Sequence, residues 1–432
     1  MRFGFVLACL ALLVASDVCA RAVETHARRE GDRWVLLRDG APYFVKGVGG
    51  NGDLDLAARI GANSVRTWDT RDAGRILDEA QKRGMTVLLG LHLTPERIGF
   101  DYGDAAAVRK QADALKAEID KYKDHPALLA WGIGNELDLK SHDPRVWDAV
   151  ETLAKYIHAT DPHHPAMTVT AGLRKDVVRR IRARAPSIDI LGVNEYGAIG
   201  DTRRQLDAYG WRGPYLITEW GMDGYWEVPK TPWGAAIEQT STEKRRAFAA
   251  RYARAIAAMR DRCLGSYAFL WGWKQEYTAT WFGLFLRDGT PTEPIDALEA
   301  AFTGHAPNRL APQLLDLRLD GKGARDNIRL APGARYAAEA NARSAEAASD
   351  AAPALVYEWE LTPESPDKKI GGDAEQAPPA LPGLIGAANG RRIELTAPAE
   401  PGAYRLFVVV RQNGKAAYAN VPFEVSAAAR KK

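Results

Sequence analysis

The chain has 432 residues, 46% of them apolar and 26% charged, and those fractions exclude disorder along most of its length. Its 58 Lys and Arg against 55 Asp and Glu leave a net charge of +3, too balanced for a nucleic-acid-binding surface. Length alone predicts two or three domains and ample material for a large core.

Residues 1–20 read as a signal peptide. Arg2 supplies the positive start, and the apolar run over 3–15 is too short to span a bilayer, which takes about 20 residues. Val18-Cys19-Ala20 is a small-x-small cleavage site, with the cut after Ala20, and Asp17 and Val18 argue against a lipoprotein signal. No later segment has the length and apolarity of a membrane helix. The expectation is an exported protein, secreted or periplasmic, with no membrane insertion. Cys9 and Cys19 leave with the leader. Cys263 then remains alone, read as a buried inert thiol at the end of an apolar helix rather than a nucleophile.

Between 43 and 302 short apolar runs alternate with longer amphipathic stretches. The predicted strands are 43–48, 64–68, 86–92, 128–135, 166–170, 188–196, 215–219 and 266–271. Predicted helices include 71–83, 105–123, 145–159 and 242–262, the last with Phe248, Tyr252, Ile256 and Met259 at helical spacing. Eight strands with helices between them in about 260 residues fit a (β/α)8 TIM barrel. The rival, a doubly wound open sheet, needs a phosphate loop. The glycine-rich run at 47–52 lacks the G-x-G-x-x-G spacing.

Past Thr303 the texture changes. The reading divides the mature chain into a barrel domain (21–303), a linker (304–326) and a β-domain (327–432). Strands are predicted at 354–361, 391–395, 404–411 and 417–425, with turns at Pro401-Gly402 and Asn413-Gly414 and a loop over 362–390. This suits an immunoglobulin-like or fibronectin-like β-sandwich, with Trp359 in its core and the last four residues frayed.

Barrel active sites lie where strands meet their following loops. The strand ends supply Arg66 and Trp68, His92, Asn135-Glu136, Asn194-Glu195-Tyr196, Glu219 and Trp271. Glu136 and Glu219 follow apolar strands, where desolvating a carboxylate is costly unless it has a task or a partner. Acetal cleavage needs two carboxyl groups, one protonated and one charged.

His125-Pro126-Ala127-Leu128-Leu129-Ala130-Trp131 leading into Asn135-Glu136 resembles the fourth strand of glycoside hydrolase clan A. Tyr215-Leu216-Ile217-Thr218-Glu219-Trp220-Gly221 resembles its seventh. With Arg66, Tyr196 and Trp271 in matching strand order, the resemblance covers about residues 40–300. It is strongest to the barrel of family 2, the β-galactosidase and β-glucuronidase type, although here the sandwich follows the barrel. The opening strand at 43–48 also resembles β-1,3-glucan transglycosidases of the same clan.

The resemblance implies Glu136 as acid/base, Glu219 as nucleophile and Asn135 as a sugar contact. The reading adds Arg66 and Tyr196 as supports of Glu219, Trp271 as a platform, and Trp68, His92 and Asn194 as further substrate contacts. It implies a carbohydrate substrate and retention of configuration, with no metal and no cofactor. His92 is read either as a sugar contact or as filler of the barrel mouth. Trp226, Trp233, Trp273 and Trp281 line subsites or pack. Glu195 alternates away from Asn194 and Tyr196 and is read as structural. His163-His164 is read as a turn at the wrong barrel end for a site. A transglycosidase using the same glutamates and a non-catalytic glycan binder are the rival functions.

Overall fold

The structure, a computed structural model, describes residues 21–344, 354–387 and 389–427. The leader at 1–20 and the basic tail lie outside the described residues. Among the described residues no helix is long and apolar enough to cross a membrane.

Eight parallel strands close into a barrel: Val45–Gly49, Ser64–Arg66, Thr86–Leu91, Leu128–Ile133, Ala166–Ala171, Ile190–Asn194, Tyr215–Trp220 and Cys263–Phe269. The eighth pairs with the first, Gly265 opposite Val45 and Phe269 opposite Gly49, so no edge remains. These strands are near-continuous apolar runs because both faces are covered, by helices outside and by the barrel's own filling inside. Leu88, Ala130, Met167, Ile190, Leu216 and Tyr267 form part of that filling. An N-terminal hairpin, Thr25–Glu30 with Arg33–Arg38, seals the floor by adding Leu36 to the same cluster.

The helices follow from capping and periodicity. Asp104 accepts the Ala106 and Ala107 N–H groups at the start of Ala105–Tyr122. A capping box of Thr240 and Glu243 starts Ser241–Arg251. The single helix expected over 242–262 is interrupted. A π-helical turn, Tyr252–Ile256, follows, then a short 3-10 turn, Ala257–Met259. Phe248, Tyr252 and Ile256 recur every four residues, a period longer than 3.6, and the wide turn keeps all three buried. Cys263 therefore opens the eighth strand and does not end a helix, which corrects the sequence reading.

The C-terminal region has two sheets about one core. Gln313–Leu319, Arg335–Arg343 and Arg392–Thr396 form one; Ile328–Leu330, Lys415–Val425, Gly402–Gln412 and Val356–Pro363 form the other. Leu317, Tyr336, Leu395, Trp359, Val408 and Phe423 from both sheets share that core. The strand Gln313–Leu319 lies inside the stretch read as linker. Its Leu314, Leu317 and Leu319 are buried, and the interleaved Arg318 and Asp316 hid it from a simple apolar count. Asn413 and Gly414 both take positive φ, 54° and 73°, in the two-residue hairpin their sequence predicts.

The two parts dock through buried polar contacts. Glu238 of the barrel pairs with Lys244 at 2.6 Å, both fully buried, and accepts from Asn420 at 2.6 Å. Arg405 donates to the Ala236 carbonyl at 3.0 Å, and the Tyr418 N–H to Ser241 Oγ at 2.9 Å.

Candidate active site

Glu219 sits near the end of the seventh strand, almost buried, and accepts from three donors at the ends of two other strands, the second and the sixth. Arg66 Nη1 donates to its Oε1 at 2.8 Å and Trp68 Nε1 to the same oxygen at 2.9 Å. The Tyr196 hydroxyl donates to Oε2 at 3.0 Å. Three convergent donors fix the orientation of this side chain. Burial and the Glu219 charge push the Tyr196 phenol well above its usual range, so it remains a donor. Trp68 reaches Glu219 because the third strand comes close beneath it. A Cβ at Gly90 would lie 2.4 Å from the Trp68 carbonyl carbon, so only glycine fits there.

Glu136 follows the fourth strand with φ +50°, two residues after Gly134 at φ +70°. Asn194 Nδ2 donates to its Oε1 at 2.8 Å and also faces Asn135 Oδ1 at 3.2 Å. Arg66 Nη2 donates to Asn135 Oδ1 at 2.6 Å. One unbroken chain of contacts thus runs Glu219, Arg66, Asn135, Asn194, Glu136. Thr218 Oγ1 donates to Asn194 Oδ1 at 2.8 Å, which fixes the amide so that its N–H2 faces Glu136. Burial, then the Glu219 charge and more weakly Asp138, push Glu136 up to about 8, against the opposing effects of Asn194 and Arg66. One carboxyl is held by a cation and two further donors. The other is held protonated near neutral pH by desolvation and by its neighbour. A raised carboxyl beside one fixed by three donors is the asymmetry that a proton donor and a nucleophile require.

Arg66, Trp68, Asn135, Glu136, Asn194, Tyr196 and Glu219 therefore share one network. His92 ends the third strand exposed, facing Asp69, and has no contact with that network. Trp271 ends the eighth strand but is 1% exposed, its ring against Phe285 and its Nε1 given to the Asp53 carbonyl at 2.9 Å. The open indole at the mouth is Trp226, 54% exposed and edge-on to Tyr196 at 5.6 Å.

Trp281 is buried, with Nε1 bonded to the Asp223 carbonyl. Trp273 lines a separate cavity of about 540 Å³ between the barrel and the C-terminal sheets. Trp233 is half-buried in the loop after the seventh strand. Glu195 stays out of the network; burial, aided by Glu227, pushes its carboxyl up to about 7. His164 is buried against Asp161 at 2.9 Å in the turn entering the fifth strand. Burial pushes the Cys263 thiol up to about 12, as expected of an inert cysteine.

Sequence reasoning missed Phe269, Tyr225, Lys274 and Glu276. Phe269 lies edge-on to both Trp68 (5.8 Å) and Tyr196 (6.3 Å), and Lys274 pairs with Glu276 at 2.8 Å. The signal for them was their place at the end of the eighth strand or in the loops after the seventh and eighth. An aromatic or a lysine there carries no spacing that distinguishes it from packing.

No family model matches the chain. Over 158 residues it is 23% identical to "Probable mannan endo-1,4-beta-mannosidase C" of Aspergillus terreus, a span of 30% of this chain and 38% of that protein. The Ruminococcus gnavus β-glucuronidase structure matches 66% of this chain and 53% of its own, at 17% identity and a TM-score of 0.51. A calcium-binding mutant of Bacteroides uniformis β-glucuronidase 2 matches 93% and 48%, at 13% identity and a TM-score of 0.51. The chain thus spans only about half, or less, of the length of these relatives. These neighbours are glycoside hydrolases, and the likeness to the solved structures is one of fold. The clan resemblance read from the strand ends agrees with them at that level.

Proposed function

We propose that the chain is an exported, retaining β-glycosidase acting on a β-linked poly- or oligosaccharide, a β-glucan by the resemblance of its opening strand. The observation that carries this is the asymmetry of the two carboxyls. Glu219 is clamped by Arg66, Trp68 and Tyr196, whereas Glu136 is raised to about 8 beside it.

In the first step a Glu219 oxygen attacks the anomeric carbon while the bond to the leaving oxygen breaks and that oxygen takes the Glu136 proton. A glycosyl ester on Glu219 and a Glu136 carboxylate result. In the second step water gives a proton to Glu136 and its oxygen attacks the anomeric carbon. The ester bond breaks and both carboxyls return to their starting states. Asn135, by the clan resemblance, would bond the sugar hydroxyl beside the anomeric carbon. The open face of Trp226 suits a sugar ring stacked at the mouth. That exposed indole also favours a second reading, transfer to a sugar acceptor instead of water. We also assign the C-terminal sheets an immunoglobulin-like or fibronectin-like sandwich.

Turnover of a panel of aryl β-glycosides tests the reading, with proton NMR of the first-formed anomer. Retention is expected, with loss of at least 1,000-fold in Glu219→Ala. A wild type inert across glucosides, mannosides, galactosides and glucuronides, or one yielding the inverted anomer, refutes it. Products longer than the substrate mark transfer.

A further inference from the structure

We propose that residues 367–376, supplied by the C-terminal sheets, form a fixed strap across the barrel mouth, so that a polysaccharide reaches Glu136 and Glu219 by threading a chain terminus beneath it. This deepens the glycosidase reading and rests on it.

The argument starts from the ring order of the barrel loops. In an eight-stranded barrel the loops after the third and seventh strands lie on opposite sides of the mouth. The strap touches both. Its Lys369 carbonyl accepts from the Tyr225 hydroxyl at 3.0 Å, after the seventh strand. Its Asp373 carboxylate accepts two bonds from Arg97, at 2.6 and 3.1 Å, after the third. Between them the Gly372 carbonyl accepts from Lys274 at 2.8 Å, after the eighth. Lys369 and Asp373 are four residues apart, a reach of at most about 14 Å at 3.3–3.6 Å per residue. One short stretch therefore clasps opposing rims.

The strap is built to lie flat on those loops. Gly371 and Gly372 both have positive φ, 65° and 73°. A Cβ on Gly371 would stand 2.9 Å from the Arg97 guanidinium and 3.0 Å from Leu139, and one on Gly372 3.0 Å from Lys274 Nζ. The stretch is also closed on itself. Glu375 accepts the Lys369 N–H at 2.9 Å while holding the Tyr277 N–H at 2.7 Å, and Asp367 accepts the Gln376 N–H at 2.8 Å. Lys274 carries it close to the chemistry. The Lys274 ammonium lies 6.0 Å from the Phe269 ring centroid, and Phe269 packs on Trp68 and Tyr196, which both bond Glu219.

Bracing alone does not account for the strap. The two parts of the molecule are already joined by Asn420 on Glu238, Arg405 on Ala236 and Tyr418 on Ser241, all at or beside the loop after the seventh strand, whereas the Arg97–Asp373 pair reaches across to the loop after the third, which none of those contacts touches. A backbone fastened from rim to rim prevents the middle of a polymer from being laid into the site from above. Entry is left to the flanks, between the loops the strap does not clasp.

The test compares viscosity loss with reducing ends released on linear β-1,3-glucan, mixed-linkage β-glucan and β-mannan. An aryl β-glycoside serves as the strap-independent control. Wild type is expected to release reducing ends with little fall in viscosity. It is also expected to spare a cyclic β-glucan whose linear counterpart it cuts. In Arg97→Ala/Asp373→Ala, and in a variant with 368–375 replaced by a short glycine–serine turn, viscosity loss per reducing end should rise at least fivefold. Aryl glycoside kcat/KM should stay within about threefold. A wild type that thins the polymer as steeply as the variants, or cuts the cyclic glucan as fast as the linear one, overturns the strap while leaving the glycosidase reading intact. The cyclic comparison needs no variant to fold. A wild type inert on every aryl glycoside overturns both.

Discussion

Replacing Glu136 by Gln should stabilise the protein, and by an amount that grows with pH. The folded carboxyl is raised from 4.5 to about 8, first by burial and then by Glu219. A group raised in the folded state contributes stability that is intact below 4.5 and is lost as pH climbs through about 8. Each pH unit in that window costs the wild type ~1.4 kcal/mol, because the unfolded chain releases the proton that the folded one retains. The loss is ~3 kcal/mol by pH 7 and ~5 kcal/mol near pH 8, upper bounds because water at the mouth screens the site. Glutamine has nearly the same shape, accepts from Asn194 in the same way and carries no such cost. At this chain length 1 kcal/mol moves Tm by on the order of 1–2 °C. Thermal unfolding of both proteins at pH 5, 7 and 8 should therefore show a gap of about 1 °C at pH 5 opening to about 5 °C at pH 8. Carboxyls away from the site are common to both proteins, so the difference reports Glu136 together with its coupling to Glu219. A gap equal at pH 5 and pH 8 would refute the reasoning.

Four further outcomes are expected. In the wild type, kcat/KM should hold up to about pH 8 and fall tenfold per unit above it, as Glu136 loses its proton; a basic limb near 5 contradicts the assignment. Loss of the Asn194 bond should move that limb upward, since this bond favours the charged form; Asn194→Ala with an unmoved limb speaks against it. Arg66→Leu leaves Glu219 buried without its cation and should cost ~3–5 kcal/mol in denaturant unfolding, much of it recovered by adding Glu219→Gln. Cys263 should resist a thiol reagent at pH 8 until the protein unfolds, because burial holds the thiol near 12; fast labelling of the folded protein would contradict that.

The barrel was legible because its strands are buried on both faces, and Leu128–Ile133 or Thr86–Leu91 read as unbroken apolar runs. The network was legible where a polar side chain ends such a run: Arg66, Asn135, Glu136, Asn194, Tyr196 and Glu219 all do. Trp271 shows the limit. Its position marks a strand end, but only the fold shows its indole turned to Asp53 and buried. The strands Gln313–Leu319 and Arg335–Arg343 escaped because alternate residues are charged or small, and alanine at 338 and 340 fills the core without an apolar signature. The strap was read only as a Pro-, Gly- and Ala-rich loop. Its role depends on Arg97, Tyr225 and Lys274, which are about 100 to 280 residues distant in sequence.

The Glu238–Lys244 pair has one more implication. Its carboxylate is satisfied by Asn420 from the far end of the chain, and the Tyr418 ring covers the ammonium at 4.9 Å. A fragment ending after Thr303 would strip that cover and open an ion pair built for a dry setting. The barrel is thus not a cassette that gene fusion or truncation can lift out unharmed, and heating should melt both halves in one cooperative event.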